Sequence, residues 1–340
     1  MIVVYDESYT RHLAGVEHPE SPDRVAGVAA HLSREGLFGR RVDARAASDD
    51  ELELVHPAAY LERVKRDVEM LGGHAGYLST GDTVIDPSSL DVARRAAGGA
   101  LAAMEAAAGG DCAAFAVVRP PGHHAEPARG MGFCIFSNAA LAAHAFVRAH
   151  GGRALIVDFD YHHGNGTQRA ARDGVSFVST HAYPAYPGSG GPGDQTLRAD
   201  AAVVNVPLPP HEYGTEAFVA TWRRLLPEVA RRVRPDLIVV SAGYDFAEGD
   251  PVGDLGADGE GASAALGALI AETAAEHCRG RVAYCLEGGY DVATLARSVA
   301  ATIRAHEAAS PPAASDGAEW DAVPGPQRRL LERLEASWPS

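Results

Sequence analysis

The chain has 340 residues, of which 46% are hydrophobic and 22% charged, and its formal net charge is -15. This composition is typical of a globular protein, and no apolar run approaches the ~18 residues that a membrane span needs. The negative charge argues against a nucleic-acid partner, which would require clustered Lys and Arg, and slightly favours cationic substrates. Asp6 and Glu7 stand where a secretory signal would be basic and then apolar, so we expect a cytoplasmic protein.

Short apolar runs and longer helical patterns alternate along the chain. In chain order, the pattern predicts a strand at 2–5, helices at 21–36 and 88–108, and strands at 113–118, 154–159, 175–180, 202–206, 237–241 and 282–286. This order predicts an α/β fold with a doubly wound, mostly parallel sheet and helices on both faces.

Capping residues and linker composition predict the element ends and the domain limits. Ser21 and Pro22 suit the start of the first helix and Gly36 its end, and the Ala-rich helix stops at Gly109-Gly110. A single catalytic domain is expected over 1–309. The remaining residues, 310–340, begin with a Pro/Ser/Ala-rich linker at 310–317 and contain a short helical tail at 326–337.

Metal-ligating residue types follow two of the predicted strands. The strand at 154–159 runs into DFDYHHGNGT, where Asp158, Asp160 and His162 share one face by the two-residue period. Asp160 and His162 can therefore converge on one cation, and Asp245, just beyond the strand at 237–241, could supply a third ligand. Two carboxylates and one imidazole leave a position open for water, as in catalytic zinc sites, and Fe(II) or Co(II) would also be accepted.

Two further strand ends carry residues suited to acid–base and oxyanion chemistry. The strand at 113–118 leads to His123 and His124, and adjacent histidines can take a proton from water and return it to a leaving amine. Gly288-Gly289 permits a tight turn that presents Tyr290, whose phenol could hydrogen-bond a developing oxyanion. Each feature alone is compatible with a polar turn, a surface histidine pair or a packed tyrosine. Their combination at four strand ends favours one hydrolytic site.

Several motifs resemble the active-site blocks of the histone deacetylase and acetylpolyamine amidohydrolase family. They are PGHHA, GMGFC, DFDYHHGNGT, GYD…GDP and EGGYD, together with the early HPESPDR, which is similar to class II and bacterial members. The resemblance implies the arginase/deacetylase fold and hydrolysis of an acetyl-amine amide to acetate and free amine. It also implies one Zn2+ per chain, a K+ or Na+ structural ion and an acetylated protein lysine or small molecule as substrate, and it leaves a homo-oligomer open.

The resemblance also implies a role for each matching residue. Asp160, His162 and Asp245 would bind zinc, His123 and His124 would act on the water, and Tyr290 would polarise the acetyl carbonyl. Asp158 would hydrogen-bond His123 and, with Ser179, help to form the monovalent cation site. The substrate tunnel would be lined by Gly132, Phe133 and Tyr186, with Cys134 close to the metal and Arg24 near an internal cavity behind it.

Three positions qualify the resemblance. Asn165 stands where many class I members have Asp, so the partner of His124 is neutral and the general acid stays unassigned between the two histidines. Asp82 is the candidate for the acidic residue at the tunnel rim. Val252 stands where one type of polyamine-preferring relative has Glu, which favours an acetyl-lysine-type amide or a small acetylated metabolite over acetylspermidine. An acetylpolyamine deacetylase, using rim carboxylates such as Asp82, Glu126 or Glu248, is the alternative.

Two other functions are compatible with the same fold or residues. A binuclear manganese ureohydrolase would need additional carboxylates at two positions that are Gly164 and Ala247 here. A catalytically inactive acetyl-amine-binding protein would be expected to lack a metal ligand or the tyrosine. Every expected group is present, so the sequence favours the mononuclear hydrolase.

Overall fold

A computed structural model describes residues 1–110, 112–198, 200–308 and 318–338. Ten strands are present in this part of the chain: β1 Ile2–Val4, β2 Arg40–Val42, β3 Gly76–Tyr77, β4 Val84–Ile85, β5 Ala113–Ala116, β6 Ala154–Asp158, β7 Val175–Ala182, β8 Val203–Leu208, β9 Leu237–Ala242 and β10 Val282–Leu286. Eight of them form one parallel sheet in the order β2-β1-β5-β10-β9-β6-β7-β8, and β3 and β4 form a small antiparallel hairpin. The predicted parallel α/β architecture is confirmed.

Helices surround the sheet. They are α1 Pro22–Arg34, α2 Asp49–Leu52, α3 Ala58–Glu69, α4 Ser89–Gly110, α5 Asn138–His150, α6 Asn165–Ala170, α7 Gly214–Val233, α8 Gly259–Cys278, α9 Val292–Ala308, α10 Ala318–Ala322 and α11 Gly325–Ser337. A short 3-10 helix covers Glu7–Arg11. None of the helices in the described ranges is long and apolar enough to cross a membrane.

The two predicted helix ends agree with the structure. Past the end of α1, Gly36 has a φ of 68°, and the Leu37 N–H donates to Leu32 O over 2.9 Å, which closes the helix as expected for a glycine there. The Ala-rich helix α4 includes Gly109 and Gly110 as its last two residues. Both glycines belong to its last turn and the helix ends at Gly110, so the predicted stop at this glycine pair is confirmed.

Strand β2 was not predicted. It contains only Arg40, Arg41 and Val42, pairs with β1 at the edge of the sheet and is largely exposed. An edge strand that faces water on most sides has no apolar run from which to recognise it. The seven predicted strands are the buried members of the sheet.

The C-terminal helix packs on the body of the protein. Leu330, Leu331 and Leu334 of α11 are buried, and the helix contacts α7 and β8. The Gln327 side chain donates to Pro207 O over 3.0 Å, and Arg224 of α7 pairs with Glu335. The linker predicted at 310–317 lies outside the described residues.

Candidate active site

Four neighbouring strands of the sheet end at one crevice. Strands β5, β10, β9 and β6 are adjacent in that order, and Ala116, Cys285, Ser241 and Asp158 lie side by side near their carboxyl ends. The turn after β5 carries the histidine pair, and the turn after β10 carries Tyr290. Asp245 follows β9, and Asp160 and His162 follow β6. Segments far apart in the sequence therefore converge where ligands bind in parallel sheets.

Asp160, His162 and Asp245 form a buried group whose ligand atoms all lie within 4.8 Å of one another. The His162 Nδ1 atom is 3.2 Å from Asp160 Oδ1 and 2.9 Å from Asp245 Oδ2. Burial acts to lower the pKa of His162, but its hydrogen bonds to the two carboxylates raise this pKa to about 10. The space between the three side chains thus stabilises positive charge, and this donor set suits a zinc ion.

Backbone groups and glycines hold the two carboxylates in place. The Gly288 N–H donates to Asp160 Oδ2 over 2.8 Å, and the Tyr161 N–H donates to Asp245 Oδ1 over 3.0 Å. A Cβ at Gly243 would lie 1.8 Å from Asp160 Oδ2, and a Cβ at Gly288 would lie 2.5 Å from Asp245 Oδ2. Any larger residue at these two positions would displace a carboxylate of the group.

His123 contacts two carboxylates. Its Nδ1 is 3.1 Å from Asp158 Oδ2, and its Nε2 is 3.7 Å from Asp160 Oδ1. Burial acts to lower the pKa of His123, but the charges of Asp160 and Asp158 raise it well above its usual value. His123 is therefore the histidine of the pair that can carry a positive charge.

His124 has a neutral partner whose orientation is fixed. The Asn165 Nδ2 group donates to Glu126 Oε1 over 2.9 Å, and because a carboxylate only accepts, Asn165 must present Oδ1 to His124 Nδ1 at 2.9 Å. His124 consequently carries its proton on Nδ1 and a lone pair on Nε2. Burial, followed by the charge of His123, lowers the pKa of His124 well below its usual value. Glu126, one of the candidate rim carboxylates, also pairs with Arg169.

Glu287, to which the sequence assigned no role, holds the loop of the histidine pair. Its Oε2 accepts from the Gly122 N–H over 2.6 Å and from the His123 N–H over 3.1 Å. The side chain is completely buried, and burial raises its pKa to about 7. A carboxylate directly after the buried strand β10 was the signal in the sequence that could have shown it.

Tyr290 is held by groups on both sides of its loop. The Arg24 guanidinium carbon lies 4.7 Å from the centroid of the Tyr290 ring, and Arg24 Nε donates to Gly289 O over 2.6 Å. Asp250 Oδ2 accepts from the Tyr290 N–H, also over 2.6 Å. Burial raises the pKa of Tyr290 well above its usual value, so the phenol keeps its proton at neutral pH and can donate it in a hydrogen bond.

Aromatic rings form walls beside the histidine pair. The centroid of the Tyr186 ring is 5.0 Å from that of His124, and the Phe133 ring is 5.8 Å from the Tyr290 ring. A Cβ at Gly132 would lie 2.4 Å from the His124 ring and 2.9 Å from the Tyr186 ring. Gly132 and Phe133 both have positive φ, which is uncommon for Phe and points to a turn fixed by its surroundings.

The other predicted site residues lie around these walls. Asp82 is exposed and accepts from the Gly132 N–H over 2.9 Å and from the Tyr186 hydroxyl over 3.1 Å. The buried Cys134 thiol contacts Gly132 O over 3.3 Å. Val252 is partly exposed, and its backbone N–H donates to Asp250.

Ser179 lies behind the metal-ligating group. It pairs with Asp158 in the register of β6 and β7, and its hydroxyl is 2.9 Å from His181 Nδ1. The K+ or Na+ ion that Asp158 and Ser179 were expected to help bind stays a prediction.

Residues 18–306 match the histone deacetylase domain. The chain belongs to the histone deacetylase family. It is 36% identical over 299 residues to the "Probable deacetylase" of Archaeoglobus fulgidus, covering 85% of this chain and 81% of the relative. It is also 37% identical over 290 residues to the "Histone deacetylase-like amidohydrolase" of Pseudomonas aeruginosa, covering 82% and 74% of the two chains.

A human relative and a solved structure are also similar to this histone deacetylase family member. The human "Polyamine deacetylase HDAC10" is 36% identical over 323 residues, covering 89% of this chain and 47% of HDAC10. The structure described as "Crystal Structure of HDA15 HD domain" superposes with a TM-score of 0.86 at 30% identity, covering 99% of this chain and 95% of the other. The family and fold that the sequence motifs indicated are thereby confirmed, and the family supports a deacetylase of the amidohydrolase type.

The alternative of a binuclear ureohydrolase has no support in the site. A Cβ at Gly164 would lie 2.2 Å from Asp158 Oδ2, so a carboxylate side chain does not fit there without a shift. In the described ranges, Asp160, His162 and Asp245 are the one group of acidic, His or Cys side chains arranged to hold a metal ion.

Proposed function

We propose that this protein is a zinc-dependent deacetylase that hydrolyses an acetyl-amine amide, of the acetyl-lysine type or in a small acetylated amine. The observation that supports this most directly is the buried Asp160, His162 and Asp245 group beside a pair of histidines with different partners. Zinc held by these three residues would act as a Lewis acid toward the acetyl carbonyl and would lower the pKa of water.

The side chains of the crevice divide the remaining work. His124 Nε2, whose lone pair is free because Nδ1–H is bonded to Asn165, accepts the proton of the attacking water and can return it to the leaving amine. His123, paired with the Asp158 carboxylate, carries positive charge next to the site. The Tyr290 hydroxyl donates to the oxyanion that develops on the acetyl group. The amide C–N bond breaks, giving acetate and the free amine.

Metal content and turnover test these assignments separately. Asp245→Ala should lose both metal and turnover, whereas His124→Ala should keep the metal and lose turnover. Tyr290→Phe should lower kcat by on the order of a hundredfold with metal retained, in line with removal of one preorganised donor. Two tightly held metal ions per chain by elemental analysis, or near-normal activity of the Phe variant, would contradict the mechanism.

An acetylpolyamine deacetylase is the second candidate, favoured by the similarity to human polyamine deacetylase HDAC10 and by the exposed Asp82 carboxylate beside Tyr186. The comparison is kcat/KM for an acetyl-lysine peptide against acetylspermidine and acetylputrescine at physiological salt. A tenfold advantage for the polyamines, about 1.4 kcal/mol, would assign that activity.

A further inference from the structure

The rim of the crevice carries an exposed carboxylate whose geometry is fixed. Asp82 accepts hydrogen bonds from the Gly132 N–H and from the Tyr186 hydroxyl, and so it lies against the wall that Tyr186 forms. Asp82 lies on the exposed turn between β3 and β4. Its remaining lone pairs can accept from a cationic group of a substrate bound beside Tyr186.

A second charged side chain adjoins the same rim. The Gly130 N–H donates to Thr80 Oγ1 over 3.2 Å, and a Cβ at Gly81 would lie only 2.1 Å from Gly130 O. The segment that contains Gly130 therefore packs directly on the turn that carries Asp82. Arg129, the residue before Gly130, is exposed at this junction.

The Arg129 guanidinium is available to a ligand. It lines a cleft of about 740 Å³ together with Met131 and Pro187, which directly adjoin Gly132 and Tyr186 in the sequence. Three other arginines line this cleft, and each pairs with an acidic residue, Arg169 with Glu126, Arg172 with Asp173 and Arg198 with Asp200. Within the described part of the chain, the Arg129 side chain makes no such ion pair.

Asp82 and Arg129 both influence the pKa of the Tyr186 phenol. Burial and the neighbouring Asp82 raise the pKa of Tyr186, whereas Arg129 acts in the opposite direction. A negative and a positive side chain thus act on the same phenol from two adjoining segments. In a protein with a net charge of -15, a free guanidinium at the rim favours a substrate that carries an anionic group there.

Resting on the deacetylase activity proposed above, we propose that the substrate is a free ω-N-acetylated α-amino acid, such as Nε-acetyllysine. Its α-ammonium group binds Asp82 and its α-carboxylate binds Arg129, while the alkyl chain carries the acetyl amide past Tyr186 into the crevice. Both charges of an amino acid lie on one carbon, which matches two charged side chains on adjoining segments. Hydrolysis adds OH to the acetyl carbon and H to the ω-nitrogen, releasing acetate and the free amino acid.

Three matched substrates separate the two charges. Nε-acetyllysine carries both, N-acetylcadaverine has the same chain and amine without the carboxylate, and Nε-acetyllysine blocked at both the α-amine and the carboxylate carries neither. For the zinc-loaded protein, we expect kcat/KM for Nε-acetyllysine to exceed that for N-acetylcadaverine by about tenfold, the effect of one charge-assisted hydrogen bond. Arg129→Gln should abolish this preference and leave turnover of N-acetylcadaverine within about twofold.

Two control variants keep the result interpretable. Arg198→Gln removes a guanidinium of the same cleft that is paired with Asp200, and it should preserve the preference. Arg129→Lys keeps the charge and should retain part of it, with melting temperatures confirming that each variant is folded. Equal use of all three substrates by the unchanged protein, or equal losses on all three in Arg129→Gln, would overturn the amino-acid assignment while leaving a deacetylase. If none of the substrates is cleaved, the proposed function itself is wrong.

Discussion

Asp250 ties the loop that follows β9 to the loop that carries Tyr290. Its Oδ2 accepts from the Tyr290 and Asp291 N–H groups, over 2.6 and 3.2 Å, and its Oδ1 accepts from the Val252 and Gly253 N–H groups, over 2.9 and 3.1 Å. Asp250→Asn replaces one of these oxygens by an NH2 group. Two backbone N–H groups then face a donor, because an amide has only one acceptor atom.

The loss can be sized from these contacts. A hydrogen bond to a charged group contributes about 1.5–3 kcal/mol, and water can replace part of this because Asp250 is only partly buried. We therefore expect the free energy of unfolding to fall by about 2 kcal/mol. A shift of about 1 Å in a catalytic group can cost on the order of a hundredfold in rate. The loss of kcat in Asp250→Asn should not exceed the loss in Tyr290→Phe, because Asp250 acts through Tyr290.

The assay is kcat for Asp250→Asn, Tyr290→Phe and the double variant, with metal content measured for each. Asp250→Asn alone should lower kcat by about thirtyfold to a hundredfold and keep the metal, but in the Tyr290→Phe background it should cost less than about threefold. Asp254→Asn is the matched control. Asp254 accepts from Gly249 and Gly256 N–H groups of the same loop but not from the Tyr290 loop. This control should lose stability while kcat stays within about threefold of the unchanged protein.

Two outcomes would refute the positioning role of Asp250. One is a folded Asp250→Asn variant with unchanged kcat. The other is an equal loss of kcat in the presence and absence of the Tyr290 hydroxyl, which would show that the carboxylate acts on the site by some route other than this tyrosine.

Three more predictions concern the histidine loop, the metal-ligating group and acid stability. Glu287→Ala leaves the buried Gly122 and His123 N–H groups without their acceptor and should lower the free energy of unfolding by about 2–5 kcal/mol in chemical denaturation. Glu287→Gln keeps one oxygen and should recover most of this loss. An equal loss of stability in the two variants would contradict the role of Glu287 as the acceptor for these N–H groups. Gly243→Ala should abolish metal retention because its Cβ would meet Asp160 Oδ2, while Gly39→Ala, where a Cβ meets nothing within 4 Å, should leave it intact in elemental analysis. Burial lowers the pKa of His56 to about 4, below the unfolded value of 6.5. The neutral, buried His56 therefore contributes its full stability to the folded state above pH 6.5, and this contribution is lost as the pH falls toward 4. The free energy of unfolding should fall by about 3 kcal/mol over this pH range because of His56. A His56→Gln variant whose free energy of unfolding falls as steeply with pH as that of the unchanged protein would disprove this role.

The buried strands could be predicted because a strand that is buried on both faces is a run of apolar residues. Strand β6, Ala154–Asp158, is buried along its whole length and is apolar until its last residue. Strand β2 consists of two exposed arginines and a valine, and its pairing with β1 depends on the path of the chain after α1. Such a pairing leaves no periodic signal in three residues.

The sequence also showed which residue types follow the strands that end at the crevice. It did not show the contacts between the loops that carry these residues. Glu287 and Asp250 both lie inside motifs that the sequence singled out, EGGYD and GDP. Their partners, the Gly122 N–H and the Tyr290 N–H, are 165 and 40 residues away along the chain. A carboxylate that binds backbone N–H groups places no demand on the side chains of its partners, so the sequence of those partners cannot show the contact.

Asn165 shows how one such contact changes the meaning of a substitution. The sequence indicated only that the partner of His124 is neutral, where many class I relatives have a carboxylate. In the structure, the other end of the Asn165 amide donates to Glu126, which also pairs with Arg169. An Asp at 165 would place two carboxylate oxygens about as close as the present 2.9 Å contact, and two like charges at that distance cannot both ionise without a large penalty. Glu126 therefore requires a donor at position 165. The neutral environment of His124 is set by that pair of residues and not by Asn165 alone.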